Sequence, residues 1–188
     1  MHKLVAAGHN PVHFAKKVWQ SNFLLMDFFA RRPPKTQLNV LEIGAGWGSL
    51  SVFLNKHYNA KVTACDLDEQ VAPYQQLLAR RNHSKVQSET CSIEQINDQK
   101  LHPFDLIVAS DICYDGKTQA AITQLIERLI CRTDTVFLLA DTGRRSFLRL
   151  TEDTQIYQQV SLQGYSIEQP LDTQGYILSV NPIKDILC

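Results

Sequence analysis

The most constraining feature of the sequence is a short apolar run, residues 38–43, that breaks into closely spaced glycines: Glu42-Ile43-Gly44-Ala45-Gly46-Trp47-Gly48. An apolar run of this length ending in glycine reads as a buried strand followed by a sharp turn. Glycine lets the backbone turn tightly and approach a ligand closely, here at the N-terminus of the next helix. Leu50, Phe53, Leu54 and His57 mark one face of that helix. Such a unit buries its strand only if further strands and helices follow.

They do follow. Residues 61–65 read as a second strand leading to Asp66, and Val71, Tyr74 and Leu78 mark the next helix, with Pro73 in its first turn. Residues 85–87 are a short third strand and residues 104–109 a buried fourth. Ala121, Ile122, Leu125, Ile126 and Leu129 form a helical stripe, and residues 135–140 a fifth strand. This alternation predicts a doubly wound, Rossmann-like α/β fold with a mostly parallel sheet covered on both faces. Residues 165–168 and 176–180 read as two further strands, an antiparallel hairpin at the sheet edge, which brings the sheet to seven. The segment 145–162 between them and the fifth strand is expected to be partly helical. Ahead of the first strand, residues 12–30 read as an amphipathic helix through Ala15, Val18, Trp19, Leu25, Phe28 and Phe29, stopped by Pro33-Pro34. A length of 188 residues suits one domain, with residues 1–35 a helical segment and 36–188 the Rossmann-like core.

Nineteen basic residues balance nineteen acidic ones. A neutral chain lacks the broad positive field of non-specific nucleic-acid binders, so no nucleic-acid partner is expected. The doublets Arg31-Arg32 and Arg80-Arg81 read as solvated helix ends. No apolar run approaches the roughly 20 residues of a membrane span, and the apolar stretch at the N-terminus is too short for a signal peptide. The expectation is a cytoplasmic protein with no membrane contact. The five cysteines, Cys65, Cys91, Cys113, Cys131 and Cys188, are odd in number and show no C-x-x-C pair, so reduced thiols are expected. The six histidines are scattered and predict no zinc site.

The glycine spacing is G-x-G-x-G. A dinucleotide fingerprint needs glycine at position 49, where Ser49 stands. Asp66, at the end of the second strand, is placed to accept both hydroxyls of a ribose. Glu42 and the three glycines, followed by that acid, resemble the class I S-adenosylmethionine-dependent methyltransferases. The resemblance implies that the 44–48 loop (Gly44, Ala45, Gly46, Trp47 and Gly48), with Glu42 before it, holds the methionine part of that cofactor. It implies that Asp66 takes the ribose and that Leu67 lines the adenine. It also implies that Thr90 and Cys91, with Glu89 before them, lie near the adenine edge and that Ser110, ending the fourth strand, lies beside the cofactor.

After the fourth strand comes Ser110-Asp111-Ile112-Cys113-Tyr114. Ligands of open parallel sheets bind beyond the carboxyl ends of the strands, so Asp111 and Tyr114 are the candidate catalytic pair. The Asn/Asp-Pro-Pro-Tyr pattern of enzymes that methylate nucleobases or glutamine amides is absent. The D-x-x-Y pattern resembles the seven-strand lysine methyltransferases of non-histone proteins. Val18-Trp19-Gln20-Ser21-Asn22 is similar to that family's N-terminal helix, which puts Trp19 at the mouth of the cofactor or substrate site; as a helix-face aromatic it reads equally well as core. Asp141-Thr142-Gly143-Arg144 is similar to the Asp-Pro-Gly-Arg segment of the branch acting on the electron transfer flavoprotein β-subunit, with threonine in place of proline. In such chemistry Asp111 aims an amine whose deprotonation costs about 4.6 kcal/mol at pH 7. Asp111 and Asp141 both end strands, as the metal ligands of catechol-type O-methyltransferases do. Those enzymes add an Asn where Thr142 stands, so no metal is expected. The acceptor is a protein lysine or, alternatively, the N or O atom of a small molecule; a cofactor-binding protein without catalysis is the second alternative. The sequence leaves oligomeric state open.

Overall fold

The computed structural model describes residues 2–11, 18–132 and 134–188. In chain order its elements are α1 (His2–Ala6), α2 (Gln20–Arg31), β1 (Asn39–Ile43), α3 (Ser49–Tyr58), β2 (Lys61–Asp66), α4 (Ala72–Arg81) and β3 (Val86–Thr90). They continue with α5 (Asp98–Leu101), β4 (Leu106–Ser110), α6 (Gly116–Arg132), β5 (Val136–Asp141), α7 (Arg145–Thr154), β6 (Val160–Ile167) and β7 (Thr173–Val180). The seven strands form one sheet in the order β3-β2-β1-β4-β5-β7-β6. The first five are parallel, and β7 runs antiparallel to both β5 and β6.

Alternate residues of each strand point to opposite faces, and each face has its own core. Leu41, Ile43, Ile107, Ala109, Phe137, Leu139, Leu178 and Val180 meet Ile122, Leu125, Ile126 and Leu129 of α6 and Phe147 and Leu150 of α7. Val40, Val62, Leu106, Val108, Leu138 and Ala140 meet Leu24, Leu25, Phe28 and Phe29 of α2 and Leu50 and Leu54 of α3. Strands β4 and β5 are buried along their whole length, which is why they read as continuous apolar runs. The strand order reverses at β1, flanked by β2 on one side and β4 on the other. A crevice for a ligand opens at the carboxyl ends of such a pair.

Several expectations need correction. Helix α2 begins at Gln20, and Trp19 is its N-cap residue in extended conformation; Ala15, with the rest of 12–17, lies outside the described residues. The third strand runs to Thr90, and the hairpin strands start earlier, at Val160 and Thr173. The segment 145–162 resolves into α7 and the start of β6. Cys65 and Cys91 are joined in a disulfide rather than held as reduced thiols. They end neighbouring strands: Cys65 pairs with Glu89, and Cys91 follows two residues later on the same face. The remaining three are free thiols, with Cys113 buried and Cys131 and Cys188 exposed. Among the described residues no helix is long and apolar enough to cross a membrane.

Candidate active site

The glycine loop leaves β1 at the reversal point. Gly44 takes φ +66, and a Cβ there would lie 2.3 Å from Ile112 Cγ2, so only glycine lets the β1 turn pass the β4 turn. The Ala45 N–H donates to Cys65 O at 3.0 Å, tying the loop to the end of β2. Gly46, at φ +51, has nothing within 4 Å of where a Cβ would sit, so the loop borders open space there. Gly48 caps α3. Glu42 is buried, 1% exposed, and accepts from the backbone N–H of Ser51 at 2.8 Å and from the Ser51 hydroxyl. Burial pushes its carboxyl up to about 7, against the two Ser51 hydrogen bonds.

Asp66 faces this loop from β2. One oxygen accepts from the Gly46 N–H at 2.7 Å and the other from the Asp68 N–H at 3.0 Å. Leu67, next in sequence, is 54% exposed, an uncovered apolar surface beside that acid. Beyond β3 the Cys91 N–H donates to Asp66 O at 2.9 Å, which brings Thr90 and Cys91 to the same end of the sheet. Behind the loop, Trp47 stacks on Tyr74 with ring centroids 5.8 Å apart and planes 7° from parallel. The Tyr74 hydroxyl donates to His9 O at 2.7 Å, and Gln75 Nε2 donates to Gly46 O at 2.9 Å.

On the other side of β1, Ser110 ends β4 buried, and Asp111 follows in the left-handed region at φ 57. That conformation, uncommon for a side-chain-bearing residue though tolerated by Asp, aims the carboxylate back over the sheet end. Its Oδ2 accepts from the Ser21 N–H in the first turn of α2 at 3.2 Å, and its Oδ1 lies 3.1 Å from Arg144 Nη2. Burial raises the Asp111 carboxyl above its ordinary value, while Ser21 and Arg144 oppose that rise. Asp141, fully buried at the end of β5, holds Arg144 in turn. Its Oδ1 accepts from the N–H groups of Gly143 and Arg144 at 2.9 Å each, and its Oδ2 accepts from Arg144 Nε at 3.0 Å and Nη2 at 2.5 Å. Tyr114 is 44% exposed at the rim, and its backbone N–H donates to Thr118 at the start of α6. Burial keeps its phenol above the ordinary value and pushes the neighbouring Cys113 thiol up to about 12, so Cys113 is inert as a nucleophile.

The sequence-derived residues therefore converge on the carboxyl ends of β1, β2, β3 and β4, with Trp19 half-buried where the chain enters α2. Glu42 stands apart: its carboxylate is engaged with Ser51 behind the loop. Sequence reasoning missed Ser21, Gln75 and the clamp of Asp141 on Arg144. Gln75, 1% exposed, had one legible signal, an amide on the apolar face of α4. Ser21 acts through its backbone N–H, which no side-chain pattern reports.

A family model for lysine methyltransferases matches residues 3–155. A ubiquinone biosynthesis O-methyltransferase from Xylella fastidiosa is 28% identical over 140 residues, 69% of this chain and 56% of that one. The chain thus spans about half the length of that curated relative. Among solved structures, a methyltransferase from Pyrococcus furiosus superposes with a TM-score of 0.68 at 21% identity, covering 92% of this chain and 88% of the other. An O-methyltransferase from Bacillus cereus in complex with SAH gives 0.65 at 20% identity, covering 96% and 90%. Structural likeness at these identities establishes the fold and leaves the acceptor open. The family match runs from the N-terminal helices through the glycine loop, Asp66, Asp111 and Tyr114 to the end of α7, and the chain belongs to the lysine methyltransferase family, within the class I S-adenosylmethionine-dependent methyltransferases.

Proposed function

We propose that this chain transfers a methyl group from S-adenosylmethionine to the amine of a protein lysine, as one domain acting in the cytoplasm, with no nucleic-acid acceptor. The residues at the reversal point fit the cofactor. The space over Gly46 is open, and the Trp47 Nε1–H is buried with no acceptor among the described residues. Asp66 ends β2 facing the glycine loop, which it meets through the Gly46 N–H, and a carboxylate at this place is the charged acceptor a ribose would need. When bound, the cofactor supplies an electrophilic methyl on a sulfonium cation.

The observation that carries the lysine reading is the charge set beside Asp111. Two carboxylates, Asp111 and Asp141, share one guanidinium, Arg144, which leaves an excess negative charge at the end of β4. Such a site attracts an ammonium and then accepts hydrogen bonds from the amine as it loses its proton. Asp111 has one oxygen engaged by Ser21 and one by Arg144, which leaves lone pairs to aim an amine N–H. Positioning of this kind is the main contribution an enzyme makes to an in-line displacement. Tyr114, neutral at physiological pH and half exposed, forms one wall of the approach. The balanced net charge supports a protein rather than a nucleic acid as partner.

The test is transfer of labelled methyl from S-adenosylmethionine to a whole-cell lysate. A labelled protein band that survives nuclease and hydrolyses to methyl-lysine is expected. A labelled small product instead assigns a small-molecule acceptor, and label in nucleic acid overturns the reading. With the lysate as acceptor, Asp111→Asn is expected to cut turnover about 100-fold or more, equivalent to about 2.7 kcal/mol, with cofactor affinity nearly unchanged.

A further inference from the structure

Asp111 is not free to turn. Its two oxygens are held from two sides, by the N–H of Ser21 at the start of α2 and by Nη2 of Arg144 after β5. Arg144 is itself held. Both Nε and Nη2 reach the same oxygen of Asp141, whose other oxygen is engaged by the backbone of the turn at Gly143 and Arg144. Asp141 is fully buried and Arg144 side-chain exposure is 31%, so the guanidinium is braced from within and open on its outer side. The pairing crosses from β5 to β4, adjacent strands whose ends lie side by side. Among the described residues the charged groups acting on Asp111 are Arg144, at the β5–α7 turn, and Asp141, which ends β5, and α2 brings the Ser21 N–H. A buried carboxylate without its cation takes up a proton more readily.

Resting on the reading of Asp111 as the group that aims the amine, we infer that Arg144, locked by Asp141, is a positioning residue that keeps Asp111 ionised and fixed in the orientation that faces the acceptor. In this role Arg144 acts through Asp111. A guanidinium suits the task because its planar fork sets Nε and Nη2 together on Asp141 Oδ2, which fixes Nη2 where it also reaches Asp111 Oδ1.

The test uses the full chain saturated with S-adenosylhomocysteine and labelled with carbon-13 at aspartate carboxyls, the Asp111 signal being assigned by its loss in Asp111→Asn. In Arg144→Gln the Asp111 titration midpoint is expected to rise by about one pH unit or more. Arg144→Lys is expected to recover part of that shift. The acid limb of methyl transfer to lysate protein should move to higher pH by the same amount, because the carboxylate is the active form. If Arg144→Gln fails to fold, as judged by near-UV circular dichroism and loss of S-adenosylhomocysteine binding, the smaller rise in Arg144→Lys carries the test. An unmoved Asp111 midpoint in a folded variant overturns the inference. A moved midpoint with no labelled protein at any pH, even in the wild-type chain, sustains the role of Arg144 and removes lysine as the acceptor.

Discussion

Glu42 is the residue whose surroundings leave the clearest mark on stability. Its folded carboxyl titrates at about 7 against an ordinary 4.5 because burial disfavours the charge. The folded chain therefore holds a proton there that the unfolded chain has released, and stability falls as pH rises from about 4.5 towards 7. The loss is on the order of 3 kcal/mol. Glu42→Gln, which keeps an acceptor for Ser51 and carries no charge, is expected to lose less stability than wild type between pH 5 and pH 8. Parallel denaturation midpoints for the two proteins across that range would sink the assignment. Asp66 gives a second prediction. It braces Gly46 and Asp68 and is the proposed ribose acceptor, so Asp66→Ala is expected to weaken S-adenosylmethionine binding by about 2 kcal/mol in calorimetry, and an unchanged affinity would move the ribose site elsewhere.

Among the elements, α2 links core and site. Its apolar face packs on the sheet, where the Phe28 ring meets Phe29 and Tyr165 edge-on with centroids 5.9 Å apart in each pair, while the Ser21 N–H near its start holds Asp111. Phe28→Ala is expected to cost about 3–5 kcal/mol, read as a lower urea midpoint with an unchanged slope. The same element shows where sequence reasoning reaches its limit. Its apolar face from Leu25 to Phe29 was legible from helical spacing, but its start was not, because Trp19 carries the apolar pattern outward into extended chain. The central strands were legible because both faces are buried. The length of β6 was not: Ser161, Leu162, Gln163 and Gly164 are exposed at the sheet edge and show no alternation. The glycine loop and Asp66 could be read from spacing alone, since both lie next to strands of the same parallel pair. The ends of neighbouring strands put Asp111 and Asp141 together in the sequence reading too, but the place of Arg144 between them and the Cys65–Cys91 bond could not be read, because each depends on side-chain geometry that spacing does not report.

At the scale of the whole molecule, β7 is the last strand in chain order and yet lies inside the sheet, between β5 and β6. It pairs along β5 from Phe137 to Asp141, and Asp141 itself stands opposite Tyr176. Until β7 docks, the apolar strand β5 has an open flank, and the residue that braces Arg144 lacks its neighbour. A chain cut after residue 168 keeps the glycine loop, Asp66, Asp111, Asp141 and Arg144. It is nonetheless expected to aggregate and to show no cooperative unfolding transition, since the flank of β5 is uncovered and β6 is left without a partner strand. A soluble fragment with a normal transition would show that β5 needs no such cover. The consequence reaches protein synthesis. Every candidate site residue leaves the ribosome well before residues 173–180, but the sheet end that aligns them closes only when those residues emerge. Nascent chains arrested with β7 still in the exit tunnel should not retain labelled cofactor, and the same chains should gain it on release: translation itself times when this enzyme can begin to bind.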